Sequence, residues 1–125
     1  MESKMNPKIE RTILLVGTDE TLNYLLGRFV EQAGDKLIVS PGIPSAQEIA
    51  GVNPKAIIFL SMQHLEFAQA LMTELAAIEI PIIVCSAVTD QARAGELGAD
   101  RCLIHPITYG SFQLALEVPS ASNYI

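Results

Sequence analysis

The chain has 125 residues, of which 50% are hydrophobic, and this length and composition suit one domain with a sizeable buried core. Its formal charge of −6, from 14 acidic against 8 basic residues, disfavours direct binding to nucleic acid. No apolar run approaches the roughly 20 residues needed to cross a bilayer, and Met1 to Lys8 lacks the apolar core of a signal peptide. We therefore expect a soluble cytoplasmic protein that binds neither nucleic acid nor a membrane.

Five short runs rich in Ile, Val and Leu predict β-strands. Their hydrophobicity is nearly continuous rather than alternating, which is typical of strands buried on both faces of a parallel sheet. In chain order the runs are Thr12 to Gly17, Leu37 to Ser40, Ala56 to Ser61, Ile80 to Ser86 and Arg101 to Ile104.

Helical periodicity separates these runs. The first helix is predicted from apolar residues at three- and four-residue spacing, with Asp19 as its N-cap and Gly34 as its stop. A second amphipathic pattern, between the third and fourth strands, comprises Leu65, Ala68, Met72, Leu75 and Ala76. The remaining helices are predicted at Ser45 to Ala50, Thr89 to Leu97 and Tyr109 to Glu117.

Five repeats of strand then helix predict an α/β fold. With right-handed crossovers these units form a three-layer, doubly wound, flavodoxin-like (βα)5 domain, whose parallel five-stranded sheet has the order 2-1-3-4-5. We expect this domain to span residues 10 to 117. Residues 1 to 9 are expected to be a flexible N-terminal segment, and residues 118 to 125 a tail or linker.

A sheet of this order has its ligand-binding crevice beyond the carboxyl ends of the first and third strands. The residues that the strands deliver to this edge are polar, small or aliphatic. They are Gly17 and Thr18 after the first strand, Leu60 and Ser61 after the third, Ser86 after the fourth and His105 after the fifth.

Three segments at or near these strands form a pattern. They are Val16 to Glu20 after the first strand, Pro81 to Ala87 in the fourth, and Gly98-Ala99-Asp100 followed by His105-Pro106. Together they resemble a response-regulator receiver domain of the chemotaxis-regulator (CheY-like) kind, over about residues 11 to 117. The resemblance implies the receiver fold and a place in two-component signal transduction or a phosphorelay.

The chain departs from the receiver pattern at most of its functional positions. Active receivers carry two acids after the first strand, an acceptor aspartate at the end of the third, a serine or threonine after the fourth, and a lysine before the proline after the fifth. Only Ser86 fits this pattern. Gly17 and Thr18 fall on the acid pair, Leu60 on the acceptor (Ser61 if the strand slips by one), and His105 on the lysine.

These departures bear directly on the chemistry. Aspartyl phosphorylation needs a carboxylate nucleophile and a Mg²⁺ ion, which is normally held by carboxylates and phosphate oxygens. Asp19 and Glu20 are offset from the acid pair and are better interpreted as acids at the start of the first helix. We therefore expect a degenerate pseudo-receiver that lacks the phosphoacceptor aspartate and has no metal site, no cofactor and no enzymatic activity.

Two further segments also depart from the family. Met62-Gln63-His64 is interpreted as a shortened loop before the third helix, which would rebuild the rim of the crevice. Cys102 falls where the family has its switch aromatic, and it cannot swing between inward and outward positions as a large ring does. Cys85 and Cys102 match no metal-ligand spacing and are expected to pack in the core.

The most favoured function is thus a phosphorylation-independent signalling module that binds a protein partner, such as an effector or kinase domain. The resemblance places the partner surface, or a homodimer interface, on the fourth helix, fifth strand and fifth helix. Its candidate contacts are Arg101, Cys102, Tyr109 and Phe112, with core packing an equal possibility for Phe112.

The alternative is a small-molecule-binding or weakly catalytic flavodoxin-like domain that uses the hydroxyl and histidine groups of the crevice. Ser61 or Ser86 with His105 would be the hydrolytic pair, but neither serine lies in a G-x-S-x-G elbow and no acid is placed to orient His105. An open, hydroxyl-lined cavity would favour this alternative, whereas a crevice filled by Leu60 or His105 would favour the interaction module. A working phosphoacceptor is a third, less favoured function.

Overall fold

Five parallel strands form one sheet in the order β2-β1-β3-β4-β5, which confirms the predicted topology. The structure is a computed structural model and describes residues 10–117, so both predicted terminal segments lie outside the described residues. The strands are β1 (Thr12–Val16), β2 (Lys36–Ser40), β3 (Ala56–Phe59), β4 (Ile82–Ser86) and β5 (Arg101–Ile104).

Helices connect the strands. They are α1 (Glu20–Gln32), α2 (Ala46–Val52), α3 (Met62–Phe67), α4 (Gln69–Leu75), α5 (Gln91–Glu96) and α6 (Tyr109–Glu117), with a 3₁₀ turn at Val88–Asp90 before α5. None of these helices in residues 10–117 is long and apolar enough to cross a membrane. The predicted cap of α1 is confirmed, because Oδ1 of Asp19 accepts a hydrogen bond of 3.0 Å from the backbone N–H of Leu22. Its predicted stop is also present, since Gly34 adopts a φ of 80° just after the helix.

The third strand is shorter than predicted and the helix after it is divided. β3 ends at Phe59 because Ser61 is the N-cap of α3, with its Oγ accepting from the backbone N–H of His64 at 3.2 Å. Met62–His64 is therefore the first turn of α3, and the predicted shortened loop at these positions is wrong. The helical pattern that follows is interrupted at Ala68, which separates α3 from α4.

The sheet buries a different side-chain set on each face, as its near-continuous hydrophobicity predicts. One face packs under α1 and α6, and we call its buried set the α1–α6 cluster: Ile13, Leu15, Leu22, Leu26, Val30, Ala56, Ile58, Leu60, Ile83, Cys85, Leu103, Ile107, Phe112, Ala115 and Leu116. The other face packs under α2 to α5 and buries Leu14, Val16, Ile49, Ile57, Phe59, Leu65, Ala68, Leu71, Leu75, Ile82, Val84 and Ala94.

The Gly98-Ala99-Asp100 turn joins α5 to the amino end of the sheet. Gly98 has a φ of 105°, a conformation that glycine adopts without a Cβ penalty. Oδ2 of Asp100 then accepts a hydrogen bond of 2.8 Å from the backbone N–H of Ile82, where β4 begins. Asp100 thus lies at the amino edge of the sheet, opposite the crevice.

Two ion pairs differ sharply in burial. Arg11 makes a two-pronged pair with Asp35, with Nε to Oδ1 at 3.0 Å and Nη2 to Oδ2 at 2.6 Å, and the Asp35 side chain is 0% exposed. The hydrogen bond to Asp35 is the main cause that raises the pKa of Arg11 above its ordinary value. The second pair, Arg93 with Glu66 at 2.8 Å, links α5 to α3 at the surface.

Candidate functional site

A depression of about 520 Å³, open to solvent, lies at the carboxyl edge of the sheet. It is lined by the following residues: Asp19, Thr21, Leu22, Leu60, Ser61, Met62, Cys85, Ser86, Ala87, Asp90 and His105. Four of the six residues predicted for the crevice are in this lining. Of the other two, Gly17 is buried and Thr18 is exposed outside the lining.

Leu60 fills the space next to Gly17. Leu60 is 2% exposed and belongs to the α1–α6 cluster. A Cβ added at Gly17 would stand 2.8 Å from Cβ of Leu60, closer than real Cβ atoms come to a neighbour, and 3.0 Å from its Cγ. Gly17 also has a φ of 145°, which side-chain-bearing residues rarely adopt. The chain at residue 17 therefore tolerates no larger side chain while Leu60 is in place.

Ser61 is bonded to a different histidine from the one the sequence suggests. Its Oγ lies 2.7 Å from Nδ1 of His64, and both residues are half-buried. His64 lies in the first turn of α3, and its ring pairs with the cap serine that precedes the helix. The Ser61 hydroxyl thus holds the start of α3 and does not pair with His105.

Ser86 lies at the end of β4 as a buried polar residue, only 4% exposed. Its Oγ has no hydrogen-bond partner among residues 10–117. Most buried hydroxyls in proteins are paired, because leaving one unpaired costs about 1–3 kcal/mol. Ser86 is thus the polar group in this lining whose bonding capacity is left unused.

His105 is exposed at the rim of the depression and follows β5. Its backbone N–H donates to the carbonyl of Ser86 at 3.2 Å, and the His105–Pro106 peptide is cis. Its ring makes no hydrogen bond to the hydroxyl of Ser61 or of Ser86. No serine–histidine hydrolytic pair involving His105 is assembled within the described residues.

The depression carries negative charge rather than being neutral. Asp19 and Asp90 both border it, and no lysine or arginine of residues 10–117 does. Sequence reasoning did not place Asp90 here because it lies in the 3₁₀ turn after β4, within a predicted helix. The signal that could have located it is that the turn directly follows a strand ending at the carboxyl edge.

The residues present do not fit the Mg²⁺ site of a receiver. A hard cation of this kind needs oxygen ligands gathered around one point, chiefly carboxylates. Gly17, Thr18 and Leu60 provide no carboxylate, and Asp19 already caps α1. The described chain contains no group of at least 3 His, Cys, Asp or Glu side chains that could hold a metal ion.

Cys85 lies in this lining as a buried thiol. Burial, assisted by the charge of Asp19 and by Cys102, raises its pKa to about 12. The neutral thiol is neither a strong nucleophile nor a metal ligand near neutral pH. Its packing in the α1–α6 cluster agrees with the core role predicted for it.

The predicted interaction surface needs one correction. Phe112 is 0% exposed and packs against Phe29 with ring centroids 5.6 Å apart, so it is a core residue and not a surface contact. Arg101, Cys102 and Tyr109 are half-buried and remain accessible. The sequence analysis missed Leu114, which is 62% exposed on α6. Its position between the buried residues of that helix is the signal that could have identified it.

The fold matches solved receiver structures. A chemotaxis response regulator of Vibrio cholerae shares 15% identity at a TM-score of 0.68, over 87% of this chain and 98% of its own. A putative response regulator of Chloroflexus aurantiacus shares 18% sequence identity at a TM-score of 0.70, and the match covers 88% of this chain and 100% of that one. The receiver domain of a Pseudomonas aeruginosa sensor histidine kinase was solved with a magnesium ion in its active-site cleft. It shares 16% sequence identity at a TM-score of 0.69, and the match covers 87% of this chain and 96% of that one.

No family model and no curated protein matches the sequence. Identities of 15% and 18% with these solved structures are low, and likeness at that level establishes the fold. The chain therefore has the CheY-like fold of response-regulator receiver domains.

Proposed function

We propose that this protein is a pseudo-receiver, a signalling module of two-component type that works by binding a protein partner and does not depend on phosphorylation. The observation that carries the proposal is the contact between Leu60 and Gly17. An aspartate at residue 17 would place its Cβ 2.8 Å from that of Leu60, so the leucine and the lost acid are sterically coupled. An aliphatic side chain at residue 60 also offers no nucleophile to a phosphoryl donor.

The first experiment tests for a phosphoacceptor. The chain is incubated with acetyl phosphate, or with beryllofluoride, in the presence of Mg²⁺, and followed by intact mass and by NMR. We expect no phosphoryl adduct and no saturable shift at the end of β3, because neither nucleophile nor metal ligands are present. An active receiver treated in parallel is the positive control. A Mg²⁺-dependent adduct mapped to Leu60 or its neighbours would overturn the proposal.

The second experiment tests the proposed partner surface on α5, β5 and α6. Leu114 is 62% exposed on α6, and Phe67 is 68% exposed on α3, against the other face of the sheet. We expect Leu114→Glu to reduce capture of the partner from a lysate of the native host, while Phe67→Glu leaves it unchanged. Each variant introduces one charge at an exposed apolar position. Loss confined to Phe67→Glu would place the interface around α3 and away from α6.

A homodimer is the alternative use of the α5–β5–α6 surface. Sedimentation velocity of the isolated chain over a range of concentrations distinguishes a homodimer from a chain that binds a different protein. A concentration-independent monomer supports a different protein as the partner. A dimer that Leu114→Glu dissociates would instead identify a second copy of the chain as the occupant.

One observation favours a second candidate function, the binding of a small molecule at the carboxyl edge. Leu60 closes the space beside Gly17, yet an open depression lined by Ser61 and Ser86 remains above it. The unpaired Ser86 hydroxyl supplies a hydrogen-bonding group in that lining. Binding there would be compatible with a partner on the α5–β5–α6 surface.

A further inference from the structure

The carboxyl-edge depression combines a buried, unpaired hydroxyl with acidic walls. Ser86 is 4% exposed, and its Oγ has no partner within residues 10–117. A ligand that hydrogen-bonds to this hydroxyl would recover the cost of leaving it unpaired, about 1–3 kcal/mol. Ser86 belongs to the lining of the depression, next to Cys85 and Ala87.

The charged side chains around the depression determine which ligand charge is favoured. Asp19 and Asp90 border it, and none of the lysines or arginines that the structure describes does. The charge of Asp19 extends to the floor, where it contributes to the raised pKa of Cys85. Phosphate and carboxylate ligands are therefore disfavoured, and a cation is favoured.

The set of side chains in the lining favours an organic cation over a metal ion. A metal ion needs several ligands around one point, and the described chain has no such group of His, Cys, Asp or Glu side chains. An organic amine has its N–H donors on one nitrogen, and the carbon chain attached to that nitrogen can carry a second polar group to a separate hydrogen-bond partner. Met62, which is half-buried at the edge of the depression, provides apolar surface for that carbon chain.

We propose that this depression binds a small organic amine whose ammonium group is held by the carboxylates of Asp19 and Asp90. A hydroxyl or second amine on the same molecule hydrogen-bonds to Oγ of Ser86. The proposal deepens the small-molecule alternative and does not rest on the pseudo-receiver proposal. The acetyl phosphate experiment reports covalent modification, so its result and the result of the experiment below can be told apart.

The test is an NMR titration of the whole chain with ethanolamine, and with ethylene glycol as the matched uncharged compound. We expect ethanolamine to shift the amides of Ser86, Ala87 and Asp90 saturably, with a dissociation constant in the millimolar range that so small a ligand permits. Ethylene glycol at the same concentrations should leave these amides unshifted. Magnesium chloride and inorganic phosphate, at matched ionic strength, are the metal and anion arms.

Three variants locate the site. Asp90→Asn should weaken ethanolamine binding about two- to fivefold, as for an exposed ion pair. Ser86→Ala should weaken it about three- to tenfold while leaving the fold intact, because it removes an unpaired hydroxyl from a buried position. Glu74→Gln makes the same charge change on α4, outside the depression, and should leave the affinity unchanged.

The proposal is overturned by any of three results. One is an equal response to ethanolamine and ethylene glycol, which would remove the role of the positive charge. Another is a saturable response to Mg²⁺ at lower concentration than to ethanolamine, which would identify a metal site. The third is the absence of a saturable shift, or of any change in affinity in both Asp90→Asn and Ser86→Ala, either of which would mean that ethanolamine does not bind at these residues.

Discussion

Replacing Leu60 with alanine tests whether this side chain is a structural plug at the carboxyl edge. The change removes three buried carbon atoms, worth about 2.4 kcal/mol at about 0.8 kcal/mol for each buried CH₂. Leucine-to-alanine changes in cores cost about 2–5 kcal/mol once the cavity is included. Because Leu60 also borders an open depression that water can enter, we expect a loss near 2.5 kcal/mol in the free energy of unfolding, at the lower end of that range.

Urea denaturation followed by circular dichroism measures this loss. The midpoint should fall by about 1.3–2.5 M, with an unchanged slope, if the slope lies near 1–2 kcal/mol/M. Leu114→Ala is the matched control, since Leu114 is 62% exposed and its truncation should change stability by less than about 0.5 kcal/mol. A loss of under about 1 kcal/mol for Leu60→Ala, comparable to that of the control, would refute the view that Leu60 is packed into the core.

Three further predictions concern single side chains. Gly17→Ala should lower the free energy of unfolding, measured by urea denaturation, by about 2–5 kcal/mol, because the new side chain would meet both a positive φ and a close contact with Leu60. A change near zero would contradict both the backbone conformation and the contact. Asp35→Ala should lower the free energy of unfolding by about 2–4 kcal/mol, because it removes the ion-pair partner of Arg11. Glu66→Ala, in an exposed pair, should lower it by less than about 1 kcal/mol. Equal losses of the two variants in thermal unfolding would contradict the difference in burial between the two pairs. Since the pKa of Cys85 is raised from 9.0 to about 12, the unfolded chain loses this proton at lower pH than the folded chain. The contribution of Cys85 to the unfolding free energy should therefore fall by about 1.4 kcal/mol per pH unit between 9.0 and about 12, and Cys85→Ala should lack this contribution in denaturation series at several pH values.

The sheet could be predicted because its signals are local. Near-continuous apolar runs bounded by turn residues mark buried parallel strands, and alternation with helices then leaves few topologies. The cap at Asp19 and the stop at Gly34 follow from the side-chain oxygen of one and the absent Cβ of the other. These features depend on neighbours in sequence, so they can be read without coordinates.

The boundary between β3 and α3 could not be predicted in the same way. A serine such as Ser61 is compatible with the end of a strand and with the N-cap of a helix. The hydrogen bonds between Ser61 and His64 that identify it as the cap form only in the folded turn, so the sequence does not reveal them. The interruption at Ala68 is hidden as well, because the apolar spacing continues through it. Phe112 shows a related ambiguity, since a ring on an amphipathic helix can serve the core or a partner, and its packing against Phe29 decides for the core.

The site was predictable as a set of positions but not as a geometry. The strand ends correctly indicated that Leu60, Ser61, Ser86 and His105 would border one depression. The close approach of Leu60 to Gly17 joins residues far apart in sequence, and no local pattern reports such a distance. Asp90 was missed for the same reason, because its position depends on the path of the chain after β4.

The coupling of Leu60 to Gly17 also governs how this chain could be engineered. A designer who introduced only an acid at residue 17 would create a steric clash with Leu60, and one who introduced only an acid at residue 60 would leave it without the acid pair at residues 17 and 18. Neither single step gives a partial gain that a screen for phosphorylation could detect. A route to a phosphorylatable variant must therefore begin with residue 60 and change residues 17 and 18 in the same library.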